Sequence, residues 1–129
     1  MRHSASFLPR PPSSNDIQTG LPVKSFEELS LLLGLSREKL ARHLGIAPAT
    51  LYRRMASGKF TSQESDRLAR LIRLFNRGFE VLGNNESAQE WFNTPNPSLG
   101  GETPLTLSES DPGCVEVERL LGRIEEGVF

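Results

Sequence analysis

The chain has 129 residues with 36% apolar content, one cysteine and a formal net charge of −1 at pH 7. That length supports one domain, or one with a small appendage, around a single modest core. The lone Cys114 excludes an intramolecular disulfide framework or thiolate metal cluster and fits a reducing compartment. No stretch reaches the roughly 18 consecutive apolar residues of a membrane span, and MRHSASFLPRPP lacks the apolar core of a signal peptide. The expectation is a cytoplasmic protein with no membrane partner.

Residues 1–24 carry five prolines and glycines from Pro9 onward with no sustained period of helix or strand, and read as a flexible arm. From Ser25 the punctuation becomes helical. Ser25 with Glu28 reads as a capping box opening FEELSLLLG, with Phe26, Leu29, Leu32 and Leu33 on one face. Ser36 caps REKLARHLG, Gly45 suits a left-handed helix end, and Pro48 suits the first turn of PATLYRRMASG, which stops at Gly58.

A second capping box, Thr61 with Glu64, starts the longest predicted helix, which runs to about Leu82 with Leu68, Leu71, Ile72, Phe75, Phe79 and Leu82 as its apolar stripe. After Gly83, ESAQEWFN predicts a short helix with Ala88, Trp91 and Phe92 turned inward. TPNPSLGGETP reads as irregular, and Asp111 as cap with Pro112 in the first turn predicts the start of a last helix striped by Val117, Leu120, Leu121 and Ile124. No segment alternates as a strand does, so the class is all-α. The predicted plan is an arm over 1–24, a helix-turn-helix bundle over 25–82 ending in the long helix, and a small helical domain over 83–129.

Charge divides a few residues before the second of these boundaries. Residues 36–77 hold ten bases against three acids, and residues 78–129 hold two bases against ten acids. A near-neutral chain is thus a basic half joined to an acidic half, which points to two partners of opposite electrostatic demand.

In the basic half, helices over 36–45 and 48–57 are separated by two residues and followed by a long striped helix, the plan of a helix-turn-helix. Ala41 is small where the two helices cross, and Ile46 and Leu51 supply apolar anchors. This resembles the Xre-type helix-turn-helix of phage-repressor-like regulators, with one departure: Arg54 stands where such motifs place an apolar core residue, leaving Met55 to take over its packing. On a recognition helix, Thr50, Tyr52, Arg53 and Arg54 become the candidates for base edges, since Arg donates two hydrogen bonds to guanine while Tyr and Thr reach thymine methyls or phosphate. Arg37, Arg42 and Lys59 are candidates for the phosphate backbone. The competing reading makes these arginines, and Arg67, Arg70, Arg73 and Arg77, a solvated face. One such motif covers about half a turn of duplex, so a homodimer on double-stranded operator DNA is expected.

The acidic half carries Ala88 with Trp91, the loop Pro95–Asn96–Pro97 followed by Leu99–Gly100–Gly101, the Thr103–Pro104–Leu105 start, and an LLGRI-x-x-G ending over 120–127. It resembles the toxin-binding domain shared by Xre, MbcA and ParS antitoxins. The resemblance implies an antitoxin that neutralises a RES-domain, NAD-depleting toxin, represses its own operon, and assembles into a larger toxin–antitoxin complex. It places the C-terminal helix at the toxin's NAD pocket, with Arg123, Glu125, Glu126, Gly127, Val128 and Phe129 as candidates and Leu120 and Ile124 packing on the toxin or on their own domain. The physical reading agrees: a dinucleotide pocket holds cations that Glu125, Glu126 and a terminal carboxylate can pair with, and Phe129 can fill a base-stacking slot. Two acids at a helix C-terminus oppose the dipole, which points to a partner. Trp91 reads as core, and Phe129 folded back on its own domain is the plainer alternative.

Catalytic readings fail. His3 and His43 have no cysteine or carboxylate constellation, no metal-ligand spacing occurs, and Leu99–Gly100–Gly101 lacks the lysine and helix start of a phosphate loop. No enzyme activity, metal or cofactor is expected. The alternative function is a stand-alone helix-turn-helix regulator whose acidic half serves dimerisation or another effector.

Overall fold

A computed structural model describes residues 11–127. Among them are eight α-helices and no strand beyond one isolated antiparallel bridge, Pro22 to Lys59, so the all-α expectation holds. The chain divides into two compact units, one ending at Arg73 and the other beginning at Leu74. Residues 1–10 of the expected arm, His3 among them, lie outside the described residues, as do Val128 and Phe129.

The first unit contains α1 (Ser14–Thr19), α2 (Val23–Leu33), α3 (Arg37–His43), α4 (Pro48–Ser57) and the first part of α5 (Ser62–Leu82). Helix α1 corrects the reading of 11–24 as unstructured. Ser13 and Asp16 form a reciprocal capping box, with Asp16 N donating to Ser13 Oγ at 3.1 Å and Ser13 N to Asp16 Oδ2 at 2.9 Å. The stretch is then stitched to the rest of the unit. Leu21 is 3% exposed, its N–H donates to the buried Ser65 Oγ at 2.7 Å, and its carbonyl accepts from Phe60 N at 3.0 Å. The Arg73 guanidinium donates to Pro12 O at 3.0 Å.

That stitching also moves the start of α2. The helix begins at Val23 with Pro22 as its extended N-cap and no side-chain cap, so the expected Ser25–Glu28 box does not form. Val23 N–H, which a helix start leaves unsatisfied, donates instead to Gly58 O at 2.9 Å. Phe26, Leu29 and Leu33 are buried as expected, while Ser30 takes the inner position given to Leu32, which is half-buried. Helices α2, α3 and α4 pack in sequence. Ser36 caps α3 through Lys39 N, Gly45 adopts φ 72°, and Pro48 opens α4. At the start of α5, Thr61 Oγ1 accepts from Glu64 N and Glu64 Oε1 from Thr61 N, completing the expected box. Each such cap is worth about 1 kcal/mol.

The second unit holds the rest of α5, then α6 (Asn85–Phe92), a 3-10 turn (Pro97–Leu99), α7 (Pro104–Leu107) and α8 (Asp111–Glu126). Four short polar side chains cap these elements in turn: Asn84, Asn96, Thr103 and Ser110. Ser110, not Asp111, is the N-cap of α8, with Asp111 and Pro112 in the first turn. The core is Phe75, Ala88, Phe92, Leu99, Leu105, Val117, Leu120 and Leu121. Burying each of the larger side chains contributes about 1.5–3 kcal/mol. Phe92 crosses α5 at Gly78, where a Cβ would stand 2.6 Å from the ring. Trp91 is half-buried and meets Phe92 edge-on at 5.1 Å, so it flanks the core rather than filling it. Phe79 and Leu82 end the α5 stripe half-buried.

Candidate functional site

The outward side of α4 is built by a helix that buries one side chain, Leu51. Tyr52 is 78% exposed, Arg53 is exposed, and Thr50 is half-buried with its Oγ1 accepting from Arg53 Nη2 at 3.3 Å. These three candidates therefore stand together near the N-terminal half of the helix. Beside them, α3 and α4 enclose an open groove of about 340 Å³, floored by Ala41, Ile46 and Leu51 and rimmed by Glu38 and Arg42.

Arg54, the fourth base-reading candidate, does not join this set. Its side chain turns inward along the Leu51 face. Nε donates to Glu64 Oε1 at 2.7 Å and Nη2 to Glu64 Oε2 at 3.1 Å. The hydrogen bonds from Arg54 hold the Glu64 carboxyl below its ordinary pKa although burial pushes the other way, and they hold the guanidinium's pKa above its ordinary value. A planar fork aimed at one carboxylate has two of its donors already engaged there. Met55, expected to replace Arg54 in the core, is half-buried.

The backbone candidates divide as well. Arg42 and Lys59 are exposed, and Arg37 is exposed but donates to Glu27 Oε2 at 2.7 Å. Of the long-helix arginines, Arg67 satisfies the C-terminal end of α3 by donating to Leu44 O at 2.7 Å, and Arg70 lies 3.8 Å from Asp66. Sequence reasoning missed Glu64 and Arg67 as holders of the motif. For Glu64 a signal existed: the charged residue at 54 needed a counter-charge, and the capping box had already placed a carboxylate nearby.

At the other end, Leu120 takes the second of its two expected placements: 3% exposed, it packs α8 on its own unit. Ile124 is half-buried, Arg123, Glu125, Glu126 and Gly127 are exposed, and Gly127 closes the helix at φ 74°. Glu125 is already engaged. Arg77 Nη2 donates to its Oε1 at 2.6 Å and Nη1 to its Oε2 at 3.2 Å, which lowers the carboxyl pKa and raises that of the arginine. Glu80 and Glu118 each lie 3.9 Å from the same guanidinium. Arg77, read as a surface base, thus offsets the unfavourable dipole position of Glu125. Among the described residues no group of three His, Cys, Asp or Glu side chains can hold a metal ion, and no helix is long and apolar enough to cross a membrane.

Comparison with known proteins follows the same division. Residues 15–73 match the family described as Antitoxin Xre-like helix-turn-helix domain, and residues 77–127 match that described as Antitoxin Xre/MbcA/ParS C-terminal toxin-binding domain. A protein named Antitoxin Xre from Yersinia enterocolitica is 33% identical over 117 residues, covering 89% of this chain and 79% of that one. Another of that name from Photorhabdus laumondii is 31% identical over 114 residues, covering 87% and 77%. A Prs ADP-ribosylating antitoxin from a Sphingobium species is 25% identical over 123 residues, covering 88% and 77%. All three names describe an antitoxin, the third with ADP-ribosylation added to it. With a helix-turn-helix domain followed by a toxin-binding domain, the chain belongs to the Xre antitoxin family.

Proposed function

We propose that the chain acts in the cytoplasm by neutralising a RES-domain toxin that depletes NAD, occluding its active site with the end of α8, and by repressing its own operon as a dimer on operator DNA. The observation that carries the inhibitory half is the state of α8. One face is fully buried on its own unit, while Arg123, Glu126 and Gly127 stand exposed at the last turn. Gly122 adds support. A glycine inside a helix costs about 0.5–1 kcal/mol relative to alanine, and a Cβ at Gly122 would meet nothing within 4 Å, so its own fold does not demand it. A partner surface approaching that turn closely supplies a reason.

The contact segment is Arg123, Ile124, Glu126 and Gly127 with the following Val128 and Phe129, Glu125 being shared with Arg77 and Leu120 serving its own core. DNA is held by Tyr52, Arg53 and Thr50 with Arg37, Arg42 and Lys59. The test mixes purified chain with the cognate RES enzyme. Full-length protein stops NAD loss and a version ending before Arg123 does not; equal protection by the truncated protein rejects the plug. In parallel, Arg53→Ala abolishes operator retention at modest salt, and unchanged retention removes α4 from the recognition role.

A further inference from the structure

Helix α4 is held with little apolar grip. Leu51 is its one buried residue, and Ala47 at its N-cap makes no side-chain hydrogen bond. A single leucine resists displacement of a helix but restrains its rotation about its own axis poorly, because apolar contact is non-directional. One turn further along the same face, Arg54 supplies direction: two hydrogen bonds from a rigid planar group to both oxygens of one carboxylate. Glu64 is fixed in its turn, since Oε1 also accepts from Thr61 N at 2.9 Å in the first turn of α5. The main chain beside Arg54 is tied down too, its carbonyl accepting from Gly58 N at 2.8 Å and Ser57 Oγ at 3.2 Å.

We infer that the Arg54–Glu64 pair sets the rotation of α4, and through it the register of Thr50, Tyr52 and Arg53 on base edges, so that Arg54 and Glu64 are specificity-positioning residues and not DNA contacts. An apolar residue at 54 gives a comparable core with a looser angular choice; the ion pair gives one. The inference rests on α4 being the recognition helix, and the experiment separates the two.

Retention of the full-length chain is measured across a salt series on a duplex from upstream of its own reading frame and on a random-sequence duplex of equal length. Glu64→Gln keeps an oxygen for Thr61 N but releases the Arg54 charge and removes an anion from a basic unit. If Arg54 reads DNA, this variant binds the upstream duplex equally or more tightly. Positioning predicts the reverse: specific binding weakens about tenfold or more, equivalent to a tenfold larger Kd, while random-duplex binding is unchanged or stronger and the specific-to-random ratio falls.

Arg54→Met with Glu64→Gln is the companion variant, because replacing such a pair by a well-packed apolar group commonly leaves the fold intact. It is expected to melt near the parent and yet lose the ratio, without the decrease of about one in the salt slope that a lost phosphate contact gives. Exchange of the two residues, Arg54→Glu with Glu64→Arg, is expected to recover part of the ratio. A folded companion variant with the parent ratio, or a salt slope lowered by one, overturns the inference. Loss of the recognition-helix reading shows differently, as unchanged retention in Arg53→Ala.

Discussion

Each of the two units joins two helices through an arginine that donates two hydrogen bonds to one glutamate, yet the surroundings differ. Arg54 and Glu64 have side chains 23% and 10% exposed; Arg77 and Glu125 are 28% and 51% exposed. The first pair lies among twelve bases and six acids up to residue 73, and the second among three bases and ten acids from residue 74. Similar geometry therefore does different work. Where water is largely excluded, the pair is directional and costly to break. Where one partner is half in solvent, the attraction is screened and its net contribution is small. In the acidic unit Arg77 is the scarce charge, with Glu80, Glu118 and Glu125 all within 3.9 Å or less.

The largest expected effect bypasses both pairs and tests whether the C-terminal unit depends on shape more than on charge. A Cβ at Gly113 would lie 1.7 Å from Leu107 O, a backbone atom that cannot move aside. Gly113→Ala is expected to cost about 3 kcal/mol or more. Trp91, the sole tryptophan, reports it as a lowered thermal midpoint in fluorescence; an unchanged midpoint shows that α7 and α8 can separate without loss.

Acid tests the comparison directly. Both glutamates have folded-state pKa values lowered by their arginines. Each contributes stability that is present above the unfolded value and lost as pH falls through the folded one, so melting temperature should decline only below about pH 4.3. The share due to Glu125 should be small at physiological salt and vanish near 1 M, where the screening length is about 3 Å. The share due to Glu64 should persist, and an acid limb abolished entirely by salt would make the two pairs equivalent.

The smallest expected effect is that of Glu125→Gln. Arg77 keeps Glu80 and Glu118 nearby, so the melting temperature at physiological salt should match the parent within error. A clear drop would place the exposed pair in the same class as the drier one.

What was legible in the sequence was local. Ser36, Pro48, Gly58 and the Thr61–Glu64 box act within four residues or at one backbone angle, and all appear where the pattern puts them. The start of α2 was not legible, because it is set by Gly58 O and not by the nearby Ser25. For the candidate sites, periodicity identified the apolar face of α8 but could not say whether its own unit or a partner covers Leu120. The placement of Arg54 depended on a residue ten positions away on another helix. Exposure of Tyr52 and Arg53 followed from polarity alone.

The seating of residues 12–21 has a consequence for the order of events during synthesis. Its anchors, Ser65 for Leu21 and Arg73 for Pro12, lie 44 and 61 residues further along the chain. At about 5–20 residues per second, the second anchor is made roughly 3–12 seconds after its partner. Helices α2 to α4 can form from short-range contacts in that interval, whereas Leu21 waits with its apolar surface in water. Residues 12–21, made before the helices they pack against, are therefore the last part of the N-terminal unit to be seated.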